Sequence, residues 1–546
     1  MRSVSDWLVD RRAFLKQSSA GLAMLGLAGP AFAAAPARDV VIETAGGRLR
    51  GQSSGGISKF LGIPYGADTG GANRFLPPKP APAWTGVRDA TVFGNIAPQN
   101  NPNAQPIPAA MAPMMALFPR DPAYVMESED CLRLNVWTPS PNRQSKKPVM
   151  VWLHGGGFTL GSGSWRIYEG SNFARTNDMV MVSVNHRLNM FGYGYMAEAL
   201  GEEYRTSANA GQLDIVQALI WVRDNIAAFG GDPNNVTIRG QSGGGSKVSV
   251  LMAMPAAHGL FHKAIIESGP TLRGGDVAGA ARNAALLIET LSGKDKLRTA
   301  STKELLTAFF AMQSKLPGGG AGGAGGFAPV MDGVALPRHP FDPDATPLSA
   351  RVPLLIGSTH HEQASFAFGQ TIPDDAALLT AVKRTLPKPG AAEQAIAAYR
   401  AAYPGVPPRF IWILIGTDAG TGSRTRTLAD RKAVQPAPVY AYRFDWETKV
   451  LGGSYRATHG MDTSFVFNNT RIDPLVGGDP TAQALATKVS RSWSAFARAG
   501  NPNVTGGVGN WPRYTAASRG TMVINNQSRA ELDPDGKLKD LLASLA

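Results

Sequence analysis

The pentapeptide Gly240-Gln241-Ser242-Gly243-Gly244 carries the residues of this chain best suited to chemistry. An apolar run before it, Val236-Thr237-Ile238, reads as a short buried strand, and Ser246 to Met254 after it reads as the start of a helix. A serine on so sharp a strand-to-helix turn cannot bury its hydroxyl. Glycines flank it because the strained turn leaves no room for Cβ atoms. A second G-x-S-x-G match, Gly51-Gln52-Ser53-Ser54-Gly55, sits in a hairpin pattern marked by Gly46-Gly47 and Gly55-Gly56. No helix pattern follows it, so it is read as a decoy.

A serine hydroxyl is a weak nucleophile near neutral pH. It needs a base, a group that orients the base, and donors for the oxyanion. In an open parallel sheet these parts lie beyond the carboxyl ends of the strands. Of the eight histidines, His459 fits best as the base: it follows the strand pattern Pro438–Phe444 by a loop and precedes Gly460. For the acid, Glu362 follows the strand pattern Val352–Gly357, with Asp332 and Asp462 as rivals on spacing alone. The order serine, acid, histidine fits an α/β-hydrolase. For the oxyanion, Gly155-Gly156-Gly157 directly follows the strand Val149–Leu153, and Gly243 would add the N–H next to the nucleophile. The other triple glycine, Gly318-Gly319-Gly320, reads as a flexible turn.

The elements that must position these groups alternate. Strands are expected at Val149–Leu153, Met179–Asn185, Val236–Ile238, Lys263–Glu267, Val352–Gly357 and Pro438–Phe444. Helical patterns cover Gly211–Phe229, with Leu213, Val216 and Ile220 as its apolar face, then Ala278–Lys315, Asp374–Tyr403 and Ala482–Arg498. The fold class is therefore α/β, with a mostly parallel central sheet covered by helices on both faces. Pro317–Gly326 is read as an inserted Gly/Ala loop inside that domain. Asn100–Tyr124, rich in Pro and Met, is read either as a flap over a binding cleft or as a packed surface loop.

Composition sets the remaining bounds. The net charge of +13 comes from scattered basic residues without aromatic interleaving, which argues against a nucleic-acid surface. No stretch of about 18 strongly apolar residues occurs, so no membrane span is expected. The single Cys131 excludes an intramolecular disulfide. At the N-terminus, Arg11-Arg12 precedes a weakly apolar run and Ala31-Phe32-Ala33. This pattern predicts a twin-arginine signal over 1–33, a single domain over 34–546, and a periplasmic or secreted product.

Further stretches carry a family likeness. Phe60-Leu61-Gly62-Ile63-Pro64-Tyr65, Ser128-Glu129-Asp130-Cys131-Leu132, Phe229-Gly230-Gly231-Asp232-Pro233 through Gly244, Thr458-His459-Gly460-Met461-Asp462 and Gly500-Asn501-Pro502-Asn503 jointly resemble the type-B carboxylesterases, the cholinesterase-like α/β-hydrolases. The resemblance spans nearly all of the mature chain. It implies a domain with large loop insertions around an active-site gorge, and a serine carboxylesterase that forms an acyl-enzyme. It implies Ser242 as nucleophile, Glu362 as acid, His459 as base and oxyanion donors at Gly156, Gly157 and Gly243. It places Ser268 behind the triad, where composition alone offers only a strand-end serine.

The resemblance further implies a small-molecule ester as the partner, with no metal or cofactor. The same machinery would also serve amide hydrolysis or acyl transfer, and the fold also carries non-catalytic binding proteins. The chain departs from the family at Gly243, where Ala is usual, at Cys131, whose usual partner is missing, at His360-His361, and at His186, where Tyr is common. Phe158, Phe366 and Phe368 are candidates for an apolar pocket or for core positions.

Overall fold

The structure is a computed structural model that describes residues 37–103, 126–316, 326–367 and 369–546. The predicted signal segment, most of the Pro/Met-rich loop and of the Gly/Ala tract, and Phe368 lie outside the described residues.

Among the described residues thirteen strands share one sheet. They are β1 (Arg38–Thr44), β2 (Gly47–Ser54), β3 (Ile57–Pro64), β4 (Val87–Asp89), β5 (Arg133–Thr138), β6 (Lys147–Leu153) and β7 (Val180–Val184). The series continues with β8 (Gly231–Gln241), β9 (Lys263–Glu267), β10 (Leu354–Thr359), β11 (Val439–Phe444), β12 (Gly520–Ile524) and β13 (Arg529–Leu532). Their spatial order is β1-β2-β3-β5-β7-β6-β8-β9-β10-β11-β12-β13, with β4 beside β2. From β7 through β12 every neighbouring pair is parallel, while antiparallel strands close both edges. The decoy serine, Ser53, is a β2 residue paired with Ser58 of β3, away from any turn into a helix.

Alternation along the central strands supplies two cores. Val149, Val151 and Leu153 of β6 join one, while Met150 and Trp152 join the other. The first is covered by α1 (Ala210–Asn225), α2 (Gly243–Leu251) and α3 (Ser423–Ala433), through residues such as Leu219, Val248 and Leu428. The second is covered by α4 (Pro480–Ala499), through Val489, Trp493 and Phe496.

Several expectations need correction. Strand β8 begins at Gly231 and not at Val236, because Lys147 of β6 already pairs with Gly231. The helix after the serine begins at Gly243 and not at Ser246, because the helical turn starts directly from Ser242. Strand β10 begins at Leu354 and not at Val352: Pro353 has no N–H to give the ladder, so pairing starts after it. On α1, Leu213 and Ile220 are only half-buried, whereas Ile215, Leu219 and Val222 are fully buried. The inward face is broader than the apolar pattern suggests because it includes Asp214, which is paired to the equally buried Arg187 at 2.6 and 2.8 Å.

Candidate active site

Four consecutive parallel strands each deliver one residue to the same edge of the sheet. Ser242 follows β8, Ser268 follows β9, Glu362 lies just past β10, and His459 lies in the loop beyond β11. Adjacency in the sheet thus turns wide separation in sequence into proximity in space.

Ser242 sits on the turn itself, with φ 57° and ψ −125°. Its N–H donates to the Glu267 carbonyl of β9 at 2.8 Å, and it stays partly exposed. The glycines around it are steric necessities. A Cβ on Gly240 would lie 2.3 Å from the Gly244 carbonyl, and one on Gly244 would lie 1.9 Å from the Leu153 oxygen.

Glu362 is buried and its carboxylate is saturated. One oxygen accepts from Ser268 Oγ at 2.5 Å and from the Thr359 N–H at 2.6 Å. The other accepts from His459 Nδ1. The loops that carry Glu362 and His459 are stitched together by their neighbours: His361 bridges Thr458, and its N–H donates to the Ala457 carbonyl at 2.9 Å. Burial alone would lower the pKa of His459. The Glu362 charge and hydrogen bond oppose this and, with Asp462, raise it above the ordinary imidazole value.

Both rival acids serve elsewhere. Asp332 accepts from Asn209 Nδ2 and from the backbone of Val334 and Leu336, closing a turn. Asp462 accepts from Tyr442 OH at 2.6 Å; burial, then the Glu267 charge, push its pKa up to about 7.

The other face of His459 holds a residue the sequence reading did not single out. Gln241 Nε2 lies 3.2 Å from His459 Nε2. With Nδ1–H given to Glu362, that ring nitrogen is the acceptor and the amide is the donor. Among the described residues no hydrogen bond joins Ser242 Oγ to the ring, so the ring is engaged by Gln241, the residue before Ser242. Such contacts tighten or exchange when substrate arrives.

Facing the serine, the glycine loop after β6 has φ 93° at Gly156 and 62° at Gly157. The Gly156 carbonyl accepts from the Leu160 N–H at 3.1 Å. Among the described residues the N–H groups of Gly156, Gly157 and Gly243 donate to no protein acceptor, as an oxyanion site requires.

Of the aromatic candidates, Phe366 is 55% exposed with its ring 5.0 Å from that of His459, whereas Phe158 is packed against Tyr193. His154 and His186 stack at 4.9 Å, and burial holds both neutral.

The carboxylesterase family profile matches residues 38–539. The chain belongs to the carboxylesterase family. Para-nitrobenzyl esterase of Bacillus subtilis is 34% identical over 517 residues, covering 92% of this chain and 98% of that protein. Phenmedipham hydrolase of Pseudarthrobacter oxydans is 33% identical, covering 89% and 95%. Among solved structures, a Geobacillus stearothermophilus carboxylesterase superposes with a TM-score of 0.78 at 35% identity, covering 92% of this chain and 99% of that one. The α/β-hydrolase fold and the expected enzyme class therefore stand: this carboxylesterase is a carboxylic ester hydrolase. Among its described residues no helix is long and apolar enough to cross a membrane.

Proposed function

We propose that the enzyme cleaves small carboxylic esters through an acyl-enzyme on Ser242. Ser242 Oγ attacks the ester carbonyl carbon while His459 Nε2 takes its proton. The carbonyl π pair moves onto oxygen, which is held by the N–H groups of Gly156, Gly157 and Gly243. Collapse of this adduct breaks the bond to the alkoxy oxygen, and His459 returns the proton to the leaving alcohol. Water, deprotonated by the same ring, then attacks the acyl group and releases the acid and Ser242. Glu362 orients the imidazole and favours its cationic form, and Ser268 fixes the carboxylate.

The observation that carries this reading is the run of Ser242, Ser268, Glu362 and His459 at the ends of four adjacent strands, with the acid bonded to the base. Ser242→Ala is expected to lower turnover of a p-nitrophenyl ester by about 10⁴-fold or more. Unchanged turnover would end the assignment.

We also propose that residues 1–33 export the enzyme to the periplasm by the twin-arginine route. Support comes from Arg11-Arg12 ahead of an apolar run and the Ala31-Phe32-Ala33 site. Replacing both arginines by lysine should leave the activity in the cytoplasm; a periplasmic fraction equal to wild type contradicts it.

A further inference from the structure

Lys247 lies one helical turn past the nucleophile on α2, and it is fully buried. Its ammonium donates to the His154 carbonyl at 3.0 Å and to the Gly157 carbonyl at 2.9 Å. These two carbonyls bracket the segment Gly155-Gly156-Gly157. The ammonium also stands 5.7 Å from the centroid of the Phe158 ring. Among the described residues no carboxylate pairs with it. The titratable groups around it are His154 and His186, both held neutral by burial and by its own charge. A buried cation without a counter-charge is a costly device, and burial brings its pKa down to about 7.

A second observation concerns the same surface. A Cβ on Gly243 would stand 2.2 Å from the Gly157 oxygen and 2.5 Å from its nitrogen and Cα. The glycine loop therefore lies directly against the turn that carries Ser242. The alanine usual in the family at this position would not fit without moving the loop.

We propose that Lys247 is a positioning residue of the oxyanion loop: it ties both ends of the glycine segment to the nucleophile helix, and Gly243 gives the loop room to sit there. One consequence follows for the reaction. The Gly156 and Gly157 donors are fixed relative to Ser242 before substrate arrives, which is preorganisation of the kind that lowers barriers.

The inference rests on the reading of Ser242 and the glycine loop given under the proposed function. The test uses the full-length enzyme and three variants, Lys247→Met, Lys247→Gln and Gly243→Ala. Active sites are counted by complete labelling with an organophosphate. Turnover of a p-nitrophenyl ester is expressed per labelled site, and inhibition by a trifluoromethyl ketone is measured, because its serine adduct places an oxyanion in the loop. Lys247→Met is expected to lower kcat per site by about 100-fold and weaken the ketone by a similar factor. KM should stay within about threefold. Gly243→Ala should shift kcat and ketone affinity in the same direction, and Lys247→Gln, which keeps donors but not charge, should fall between wild type and Lys247→Met.

A merely structural lysine would reduce the labelled fraction and the melting temperature while kcat per site and ketone affinity held at wild-type values. That result overturns the proposal. Should Lys247→Met fail to fold, wild-type values in both Lys247→Gln and Gly243→Ala overturn it equally. Failure of the underlying reading is separate: wild-type enzyme would then resist the organophosphate, or Ser242→Ala would remain active.

Discussion

At His459 two opposing influences meet on one ring. Burial disfavours the imidazolium, while the charge and hydrogen bond of Glu362, together with Asp462, outweigh it, so the proton is held tighter than on a free imidazole. In the proposed mechanism the free enzyme needs the neutral ring to accept the serine proton. Activity should therefore fall as pH drops through a midpoint above the ordinary value of about 6.5. Glu362→Gln leaves only the more distant influence of Asp462 to oppose burial. It should move the midpoint of kcat/KM below that value and reduce kcat by about 10³- to 10⁴-fold. A pH profile on a p-nitrophenyl ester checks both, and an unmoved midpoint would contradict the role given to Glu362.

At this scale the sequence is uneven. Ser242 and His459 are readable because glycines and strand ends mark them. Glu362 is not separable from Asp332 and Asp462 by spacing, since what distinguishes them is a partner: Asn209 for Asp332, Tyr442 for Asp462, His459 for Glu362. Gln241 and Lys247 carry no signal at all, because a polar residue beside a turn looks the same whether it faces water or a catalytic ring.

Between elements, the site rests on one buried ion pair. Arg239 of β8 and Glu267 of β9 are fully buried and joined at 2.8 and 2.9 Å. The guanidinium lies over the rings of both Trp152 and Phe467, 4.6 and 4.7 Å from their centroids. Trp493 Nε1 of α4 also donates to Glu267 Oε1 at 2.7 Å. Three elements beneath the nucleophile thus share one carboxylate. Arg239→Leu would strand that charge in the core and should destabilise the fold by about 3–5 kcal/mol in urea unfolding. A loss below about 1 kcal/mol would show that the pair is dispensable.

Most of the central strands were legible as short apolar runs bounded by turn residues, and β9 matches its expected bounds, whereas β5, β12 and β13 were not singled out. The limits of that logic show at α1, where Asp214 sits on the inward face. Periodicity scores an aspartate as outward, and only the facing Arg187 makes its burial tolerable.

For the molecule as a whole, the sheet order decides the architecture, and the pattern of alternating strands and helices announces the parallel core but not the order of its strands. Residues from opposite ends of the chain's catalytic half meet because β8 through β11 are neighbours in space.

The lone cysteine has a consequence of its own. Cys131 is fully buried in the first core, and burial raises its thiol pKa. A maleimide in the surrounding buffer finds no second address on this polypeptide, and finds this one only in molecules whose interior has come apart. The thiol is a built-in clock for opening of the fold, read by mass, with no engineered label.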